Sequence, residues 1–246
     1  MPRREVMQHM LPANVALVTN RSQEIPGEWT NALVSDGLIT HHTLSLKEVN
    51  YLFPLYLHSP DKAENLSPDF RAFVDSRYEH HYAPEEILGY IYAVLYAPAY
   101  RSRYAEFLRI DFPRIPFPKA TTHFEILSGM GWDLMQKHLL RDVARAGLGK
   151  YQGKGHNEVE KPRYVDAEQS IWINETQKFV PVPQEVWDFH IGGYQVLSKF
   201  LKDRKGRTLT LDEINNVENV ANVLAFTIDQ MVKIDRAYLL AFPDRG

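Results

Sequence analysis

The residues best suited to catalysis do not form a recognisable active-site pattern in this sequence. Its 246 residues contain no glycine-rich phosphate loop, no Gly-x-Ser-x-Gly nucleophile motif and no His-Glu-x-x-His zinc motif. Cysteine is absent, which excludes disulfides, thiolate nucleophiles and cysteine-based zinc sites and is typical of a reducing compartment. Asp188 and His190 could form the acid–base pair of a small hydrolase, although a cap or loop hydrogen bond is the commoner role for such a pair. We therefore expect a chain that is not an enzyme by itself.

The ten histidines do not have the spacing of a metal site. Two pairs are adjacent in sequence, namely His41 with His42 and His80 with His81. Adjacent side chains point to opposite faces of a strand, or diverge by about 100° on a helix, so neither pair can grip one ion. His138 falls on the apolar stripe of a predicted helix, where a hydrogen-bonded core histidine is the commoner explanation. The sequence thus predicts no metal ion and no cofactor.

Binding of a polyanion is the chemistry that the segment 199–207 favours. Five cations and one acid give it a net charge of +4, although the whole chain carries −3. The cations are Lys199, Lys202, Arg204, Lys205 and Arg207. An apolar helical face beside them would hold the helix by packing and direct the cations outward, and Gly206 would end the helix. Such a patch is either a solvated face or a binding surface for a polyanion.

A second basic segment, residues 100–119, interleaves cations with aromatic side chains. Its cations exceed its acids by three. They include Arg101, Arg103, Arg109, Arg114 and Lys119. Guanidinium groups beside aromatic rings suit phosphate contacts and the bidentate reading of guanine. The alternatives are an ion pair between Arg103 and Glu106 and, for Arg114 between two prolines, a structural role. Arg21, beside the turn after the first predicted strand, is a further candidate.

The elements that must position these cations follow from hydrophobic periodicity and turn residues. The pattern predicts three strands of a mostly antiparallel sheet at residues 14–20, 32–39 and 49–57, and a loop or a lightly structured connection at residues 59–81. A helix from Pro84 should break or kink at Pro98, and further helices should span residues 99–108 and 123–140. Residues 150–161 form the expected flexible loop, and residues 171–174 and 177–182 a hairpin. A capping box at Thr210 begins a long helix that we expect to kink or end near Asp235.

These elements predict an α+β fold, with a strand-rich N-terminal half, a mostly antiparallel sheet and several helices including a long C-terminal one. We expect one domain over residues 1–246, with a first lobe at 1–120 and a second at 121–246. No apolar run reaches the ~20 residues that a membrane span requires. We expect no membrane partner and a cytoplasmic location.

Several blocks of the sequence resemble a known family. They are residues 90–118, 173–179, 186–197 and 201–209, together with the early segments 34–37 and 51–56. These blocks are similar to the C-terminal specificity domain of type ISP restriction–modification enzymes. The likeness is looser to the target-recognition regions of single-chain type II enzymes that fuse methylation and cleavage.

The resemblance implies a specificity module that chooses the DNA sequence on which other segments act. Its implied partners are double-stranded DNA and the methyltransferase and helicase segments of the same or a partner polypeptide. The resemblance does not assign individual contacts. From the basic segments themselves we expect phosphate or groove contacts from Arg21, Arg101, Arg103, Arg114, Lys119, Lys199, Lys202, Arg204, Lys205 and Arg207. Loops of the N-terminal half and residues 150–161 would probe base edges. The alternative is a protein-interaction module that docks a methyltransferase through Trp187 and Tyr194.

Overall fold

Contacts within the chain group it into two compact units in this computed structural model. Unit 1 comprises Met1–Leu139 and Gln230–Gly246, and unit 2 comprises Leu140–Asp229. The structure describes residues 3–11, 13–45, 47–58, 62–143 and 146–243. The units meet in sequence at 139/140, whereas the sequence suggested lobes that meet at 120/121. That both units belong to one recognition domain stays a prediction.

The helices and strands follow one another in a mixed order. Unit 1 contains α1 (Arg4–Met7), β1 (Ala16–Asn20), β2 (Ala32–Ser35), β3 (Asn50–Pro54), α2 (Pro68–Tyr78), α3 (Pro84–Tyr96), α4 (Pro98–Arg103), α5 (Ala105–Ile110) and α6 (Thr121–His138). Unit 2 contains β4 (Lys150–Gly153), β5 (Arg163–Val165), β6 (Ser170–Trp172), β7 (Gln177–Val180), α7 (Gln184–Trp187), β8 (His190–Ile191), β9 (Tyr194–Gln195) and α8 (Val196–Lys202). The long helix α9 (Leu211–Ala241) gives its residues 211–229 to unit 2 and its later residues to unit 1.

The strands of unit 1 form an antiparallel sheet in the order β2–β1–β3, which confirms the antiparallel sheet predicted for the N-terminal half. Ala16 pairs with Ser35 on one side and with Pro54 on the other. The central strand β1 is buried at nearly every residue, whereas the edge strand β3 alternates between buried and more exposed positions. This alternation is the period of two that a half-covered strand produces.

The segment 59–81 is not simply a loop, because it contains the helix α2. Ser67 caps this helix with its hydroxyl, and Pro68 occupies the first turn, where its missing N–H breaks no helical bond. The helix buries only Val74 and Tyr78. Two buried side chains make too narrow an apolar stripe to reveal the helix by periodicity. Residues 59–61 of the predicted loop lie outside the described residues.

Helices α3 and α6 pack with their backbones in close contact. A Cβ atom added to Gly131 would lie 1.9 Å from the carbonyl oxygen of Gly89, so glycine is required there. The predicted break at Pro98 is confirmed: α3 ends at Tyr96 and α4 begins at Pro98. The cause is that proline lacks an N–H and its ring clashes with the preceding turn.

His138, the last residue of α6, is the hydrogen-bonded histidine that the apolar stripe predicts. Its Nδ1 lies 2.6 Å from the hydroxyl of Tyr92, and its ring centroid lies 5.2 Å from that of Tyr96. Desolvation of the ring, and secondarily the positive charge of Arg101, lower the pKa of His138 to about 3. The imidazole is therefore neutral at pH 7 and adds no positive charge to unit 1.

Unit 2 is built on an antiparallel sheet in the order β4–β7–β6–β5. Ile171 pairs with Phe179, which confirms the predicted hairpin. The apolar face of α8 supplies Leu197 and Leu201 to the same buried cluster as these two residues. The helix ends at Lys202, earlier than the predicted stop at Gly206.

The long helix α9 begins at the capping box that the sequence predicts. The Thr210 hydroxyl accepts the N–H of Glu213 at 3.1 Å, and the Glu213 carboxylate accepts the N–H of Thr210 at 3.0 Å. Of the two predicted outcomes near Asp235, a kink or an end, the end is wrong, because the helix runs on to Ala241. A kink there stays a prediction. Asp235 instead accepts the backbone N–H of Ala99 at 2.6 Å, in the first turn of α4. An acid on the apolar stripe thus serves as the acceptor for another helix.

Candidate nucleic-acid interface

The ten predicted contact residues divide between the two units. Unit 1 holds Arg21, Arg101, Arg103, Arg114 and Lys119, and unit 2 holds Lys199, Lys202, Arg204, Lys205 and Arg207. Each group therefore has to be judged on the partners and exposure that its own unit provides.

In unit 2, backbone hydrogen bonds join two segments that are distant in sequence. Val159 donates its N–H to the carbonyl of Arg207 at 3.0 Å, and Gly206 donates to the carbonyl of Val159 at 2.8 Å. Leu209 donates to the carbonyl of Asn157 at 2.8 Å. The basic turn (residues 202–207) and loop 154–158 consequently lie side by side. The sequence singled out both regions, but only the fold makes them neighbours.

An amide network gives loop 154–158 a defined shape. Gln177 donates its amide N–H to the Asn157 side chain at 2.7 Å and accepts the backbone N–H of Asn157 at 2.9 Å. Asn174 donates to the carbonyl of Glu158 at 3.0 Å. A Cβ atom at Gly153 would lie 2.0 Å from the carbonyl oxygen of Thr176, and the φ of Gly153 is +106°.

The prediction of a flexible loop over residues 150–161 is therefore wrong in two respects. Lys150–Gly153 form the strand β4, and the residues that follow are tied by hydrogen bonds to the hairpin and the basic turn. Lys154 and His156 are exposed at the loop's surface. A loop with fixed backbone is better suited to present side chains in a defined geometry than a mobile one.

Three of the five predicted contact residues of unit 2 have acidic partners. Lys199 pairs with Asp203 one helical turn away, and its ammonium lies 5.1 Å from the Tyr194 ring centroid. Arg204 and Arg207 share the carboxylate of Glu213, at 2.8 and 3.3 Å. The N–H of Thr210, and then the hydrogen bond and charge of Arg204, hold the pKa of Glu213 below its ordinary value.

Exposure separates the members of this group. The Arg204 side chain is 23% exposed and its guanidinium stacks 3.5 Å from the Phe200 ring centroid, so it mainly stabilises the turn. Arg207 keeps 62% of its side chain exposed despite its ion pair. Lys202 and Lys205 are exposed, and neither ammonium has a carboxylate partner within the described part of the chain. Lys202, Lys205 and Arg207 are therefore the cations that a polyanion can reach.

Arg101 of unit 1 does not fit its predicted role. It is 3% exposed, its Nε donates to the carbonyl of Leu95 at 2.6 Å, and its guanidinium lies 4.8 Å from the Tyr96 ring centroid. Desolvation lowers the pKa of Arg101, and the distant Glu28 carboxylate, at 4.0 Å, offsets this only partly. The prediction of a DNA contact is corrected here, because no ligand can reach a guanidinium enclosed in the core.

The other predicted cations of unit 1 lie at its surface. Arg21 pairs with Asp111 at 2.9 Å while 61% of its side chain stays exposed. Arg114 is exposed, and its backbone carbonyl accepts the hydroxyl of Tyr100 at 3.0 Å. Arg103 and Lys119 line a cavity of about 740 Å³.

Arg77 was not among the residues predicted from the sequence, yet it lines the same cavity as Arg103 and Lys119. Arg77 lies in the last turn of α2, inside the segment that was predicted to be a loop. The Ser-Pro-Asp sequence at residues 67–69 is a helix-start signal and would have placed this arginine near a helix end. That signal gives no indication of the cavity.

The alternative roles from the sequence find little support in side-chain geometry. His190 bonds the backbone carbonyl of Asp188 at 2.5 Å, while the Asp188 carboxylate accepts the Gln184 amide at 2.6 Å, so this carboxylate does not orient the imidazole. Trp187 stacks on Tyr164 at 5.5 Å with an interplanar angle of 9°, which uses one face of the indole within unit 2.

In the described ranges, no cluster of three or more His, Asp or Glu side chains could hold a metal ion. No helix of those ranges has the length and apolar character of a membrane span.

Solved structures share this fold at low sequence identity. A DrdV–DNA complex superimposes with a TM-score of 0.71 at 21% identity, covering 94% of this chain and 25% of DrdV. A nuclease-deletion mutant of the Type ISP restriction–modification enzyme LlaGI, in complex with a DNA substrate mimic, gives 0.64 at 19% identity, with coverages of 90% and 18%. The ATP-dependent Type ISP restriction–modification enzyme LlaBIII bound to DNA gives 0.67 at 16% identity, with coverages of 100% and 17%. The chain thus spans a quarter or less of each of these proteins.

A family model covers far more of the chain than any single sequence block. No curated protein matches the chain in sequence. The model of the Type ISP C-terminal specificity domain matches residues 1–232, which include all of unit 2, most of unit 1 and both groups of surface cations. The chain therefore belongs to the family of Type ISP C-terminal specificity domains.

Proposed function

We propose that this chain is the sequence-specific double-stranded DNA recognition module of a restriction–modification system, acting in the cytoplasm. Membership of a specificity-domain family is consistent with a chain that carries no catalysis itself. Methylation, helicase and cleavage activities would belong to other segments of the same or a partner polypeptide. The single observation that carries the proposal is the placement of exposed Lys202, Lys205 and Arg207 beside the fixed loop 154–158.

The basic turn would supply contacts to phosphates and the loop contacts to bases. Lys202, Lys205 and Arg207 can reach the backbone of a duplex, and such contacts set register without reading sequence. Lys154 and His156 extend from the adjoining loop, where they can donate hydrogen bonds to base edges in a groove. The amide network around Asn157 would keep these two side chains in place as the phosphates are engaged.

The expected salt dependence follows from the number of phosphate contacts. Three contacts predict a slope of about −2.7 for the logarithm of affinity against the logarithm of salt concentration. Between 50 and 200 mM salt, affinity should then fall about 40-fold from this turn alone. Docking through an apolar surface would show almost no such slope.

The test is selection from a pool of random duplexes, followed by fluorescence anisotropy on the enriched sequence. Lys205→Gln and Arg207→Gln should weaken binding to every duplex alike, whereas Lys154→Ala should change which sequence is enriched. Lys178→Gln is the matched control, because Lys178 is already paired with Glu168 at 2.7 Å, and it should change affinity less than two-fold. No enriched sequence, together with salt-independent binding, would refute the proposal.

A further inference from the structure

Basic side chains from several segments line the cavity of unit 1 that holds Arg77. Arg77, Arg103, Lys119 and His123 line it, with the rings of Tyr104 and Phe117 among its walls. None of the described residues that line it is an aspartate or a glutamate. These side chains come from the last turn of α2, the end of α4 and the start of α6, so the tertiary structure gathers them. We call this cavity the Arg77 pocket.

Neutral acceptors hold Arg77 in place. Its Nε donates to the carbonyl of Pro118 at 2.9 Å, and its Nη2 donates to the carbonyl of Phe117 at 2.9 Å. Tyr78 donates its hydroxyl to the same Pro118 carbonyl at 2.9 Å, which fixes that carbonyl in turn. A guanidinium has five N–H donors, and these two bonds leave most of them for a ligand. Because carbonyl groups carry no net charge, the bonds orient the guanidinium without neutralising it.

Backbone groups also position the neighbouring cations. Lys119 directly follows Pro118, so the carbonyl that orients Arg77 also fixes where the lysine begins. Arg103 donates from Nη1 to the carbonyl of Phe242 at 3.0 Å.

We propose that the Arg77 pocket binds a backbone phosphate of duplex DNA. The inference rests on the proposed function and assigns to DNA binding a residue, Arg77, that the basic segments do not include. Guanidinium groups form short, charge-assisted hydrogen bonds with phosphate oxygens, and an ammonium adds a point charge to the same anion. The rings of Tyr104 and Phe117 offer apolar surface to the deoxyribose beside that phosphate.

The experiment measures duplex affinity of the full chain at several salt concentrations for Lys119→Gln and Arg77→Gln. Each variant should weaken binding about eight-fold at 0.1 M salt, equally for all sequences, and should reduce the salt slope by about 0.9. Arg109→Gln is the matched control, because Arg109 is an exposed arginine on α5 that does not line the pocket, and it should change affinity less than two-fold. Circular dichroism checks that Arg77→Gln remains folded. If Arg77→Gln does not fold, Lys119→Gln alone tests the pocket, because it removes no hydrogen bond of Arg77.

The outcomes separate this inference from the proposed function. If the chain selects a sequence while Lys119→Gln keeps both affinity and salt slope, the pocket inference is wrong and the proposed function stands. If the chain binds no duplex at all, both are wrong. A deoxynucleoside 5′-monophosphate that binds the wild-type chain more tightly than the duplex would identify a free nucleotide as the ligand and overturn the assignment to the DNA backbone.

Discussion

Replacing Gly131 with alanine should destabilise unit 1, because α3 and α6 leave no room for a methyl group between them. The added Cβ would lie 1.9 Å from the carbonyl oxygen of Gly89 and 2.7 Å from the nitrogen of Ala93, whereas real Cβ atoms essentially never approach within 3.0 Å. The helices would have to separate by roughly 1 Å along their shared face. Overpacking costs about 1–3 kcal/mol, and the better helix propensity of alanine returns at most about 1 kcal/mol. Because the added methyl group would meet the backbone of α3 and not a side chain that could move, we expect a net loss of about 2 kcal/mol.

Thermal unfolding followed by circular dichroism measures this loss. For a chain of this length, about 2 kcal/mol corresponds to a decrease in Tm of about 4–8 °C. Gly129→Ala is the matched control on the same helix, since a Cβ there meets nothing within 4 Å. It should raise Tm by about 2–4 °C through helix propensity alone. A Gly131→Ala variant whose Tm equals or exceeds that of the wild type would refute the steric argument.

Two further predictions concern a buried cation and a surface acid. Arg101→Ala should lower the free energy of unfolding by about 2–4 kcal/mol, since it leaves the Leu95 carbonyl without its donor and opens a cavity. In urea denaturation the control Lys202→Ala should stay within about 0.5 kcal/mol of the wild type. Equal losses of stability in the two variants would contradict the burial of Arg101. The pKa of Glu213 is lowered in the folded state, chiefly by the N–H of Thr210. The ionised carboxylate therefore stabilises the fold at pH values above the ordinary glutamate pKa of about 4.3. This stabilisation is lost as pH falls through the lower pKa of the folded state. The urea concentration at the unfolding midpoint should therefore decrease as the pH is lowered below about 4.3, and it should decrease less steeply in Glu213→Gln than in the wild type. An identical decrease in the two proteins would count against this contribution.

Some parts of the candidate site could be predicted because their signals are local. The capping box at Thr210 and the break at Pro98 depend on residues within one helical turn, so composition and spacing were enough. The charge of residues 199–207 is likewise visible without any structure. The helix α2 had only its Ser-Pro-Asp start as a signal, because two buried side chains do not produce a clear stripe.

Whether an individual cation is buried or exposed could not be predicted from its position in the sequence. Arg101 and Arg103 are two residues apart on α4, and residues so spaced point about 200° apart on a helix. That geometry requires the pair to diverge but does not say which one turns inward. Packing decides it: Arg101 lies against the rings of Tyr96 and Trp29, whereas Arg103 reaches the carbonyl of Phe242 at the surface.

Charge, composition and turn chemistry thus determined by themselves that the chain is an α+β protein with cationic segments and without a catalytic motif, because these are properties of residues and their near neighbours. The tertiary structure alone decided which cations a ligand can reach. Loop 154–158 meets the basic turn through the bonds of Val159, Gly206 and Leu209, and Arg77 meets Lys119 through the carbonyl of Pro118. Contacts of this kind join residues some forty or more positions apart, and their formation depends on the packing of whole elements rather than on any local preference.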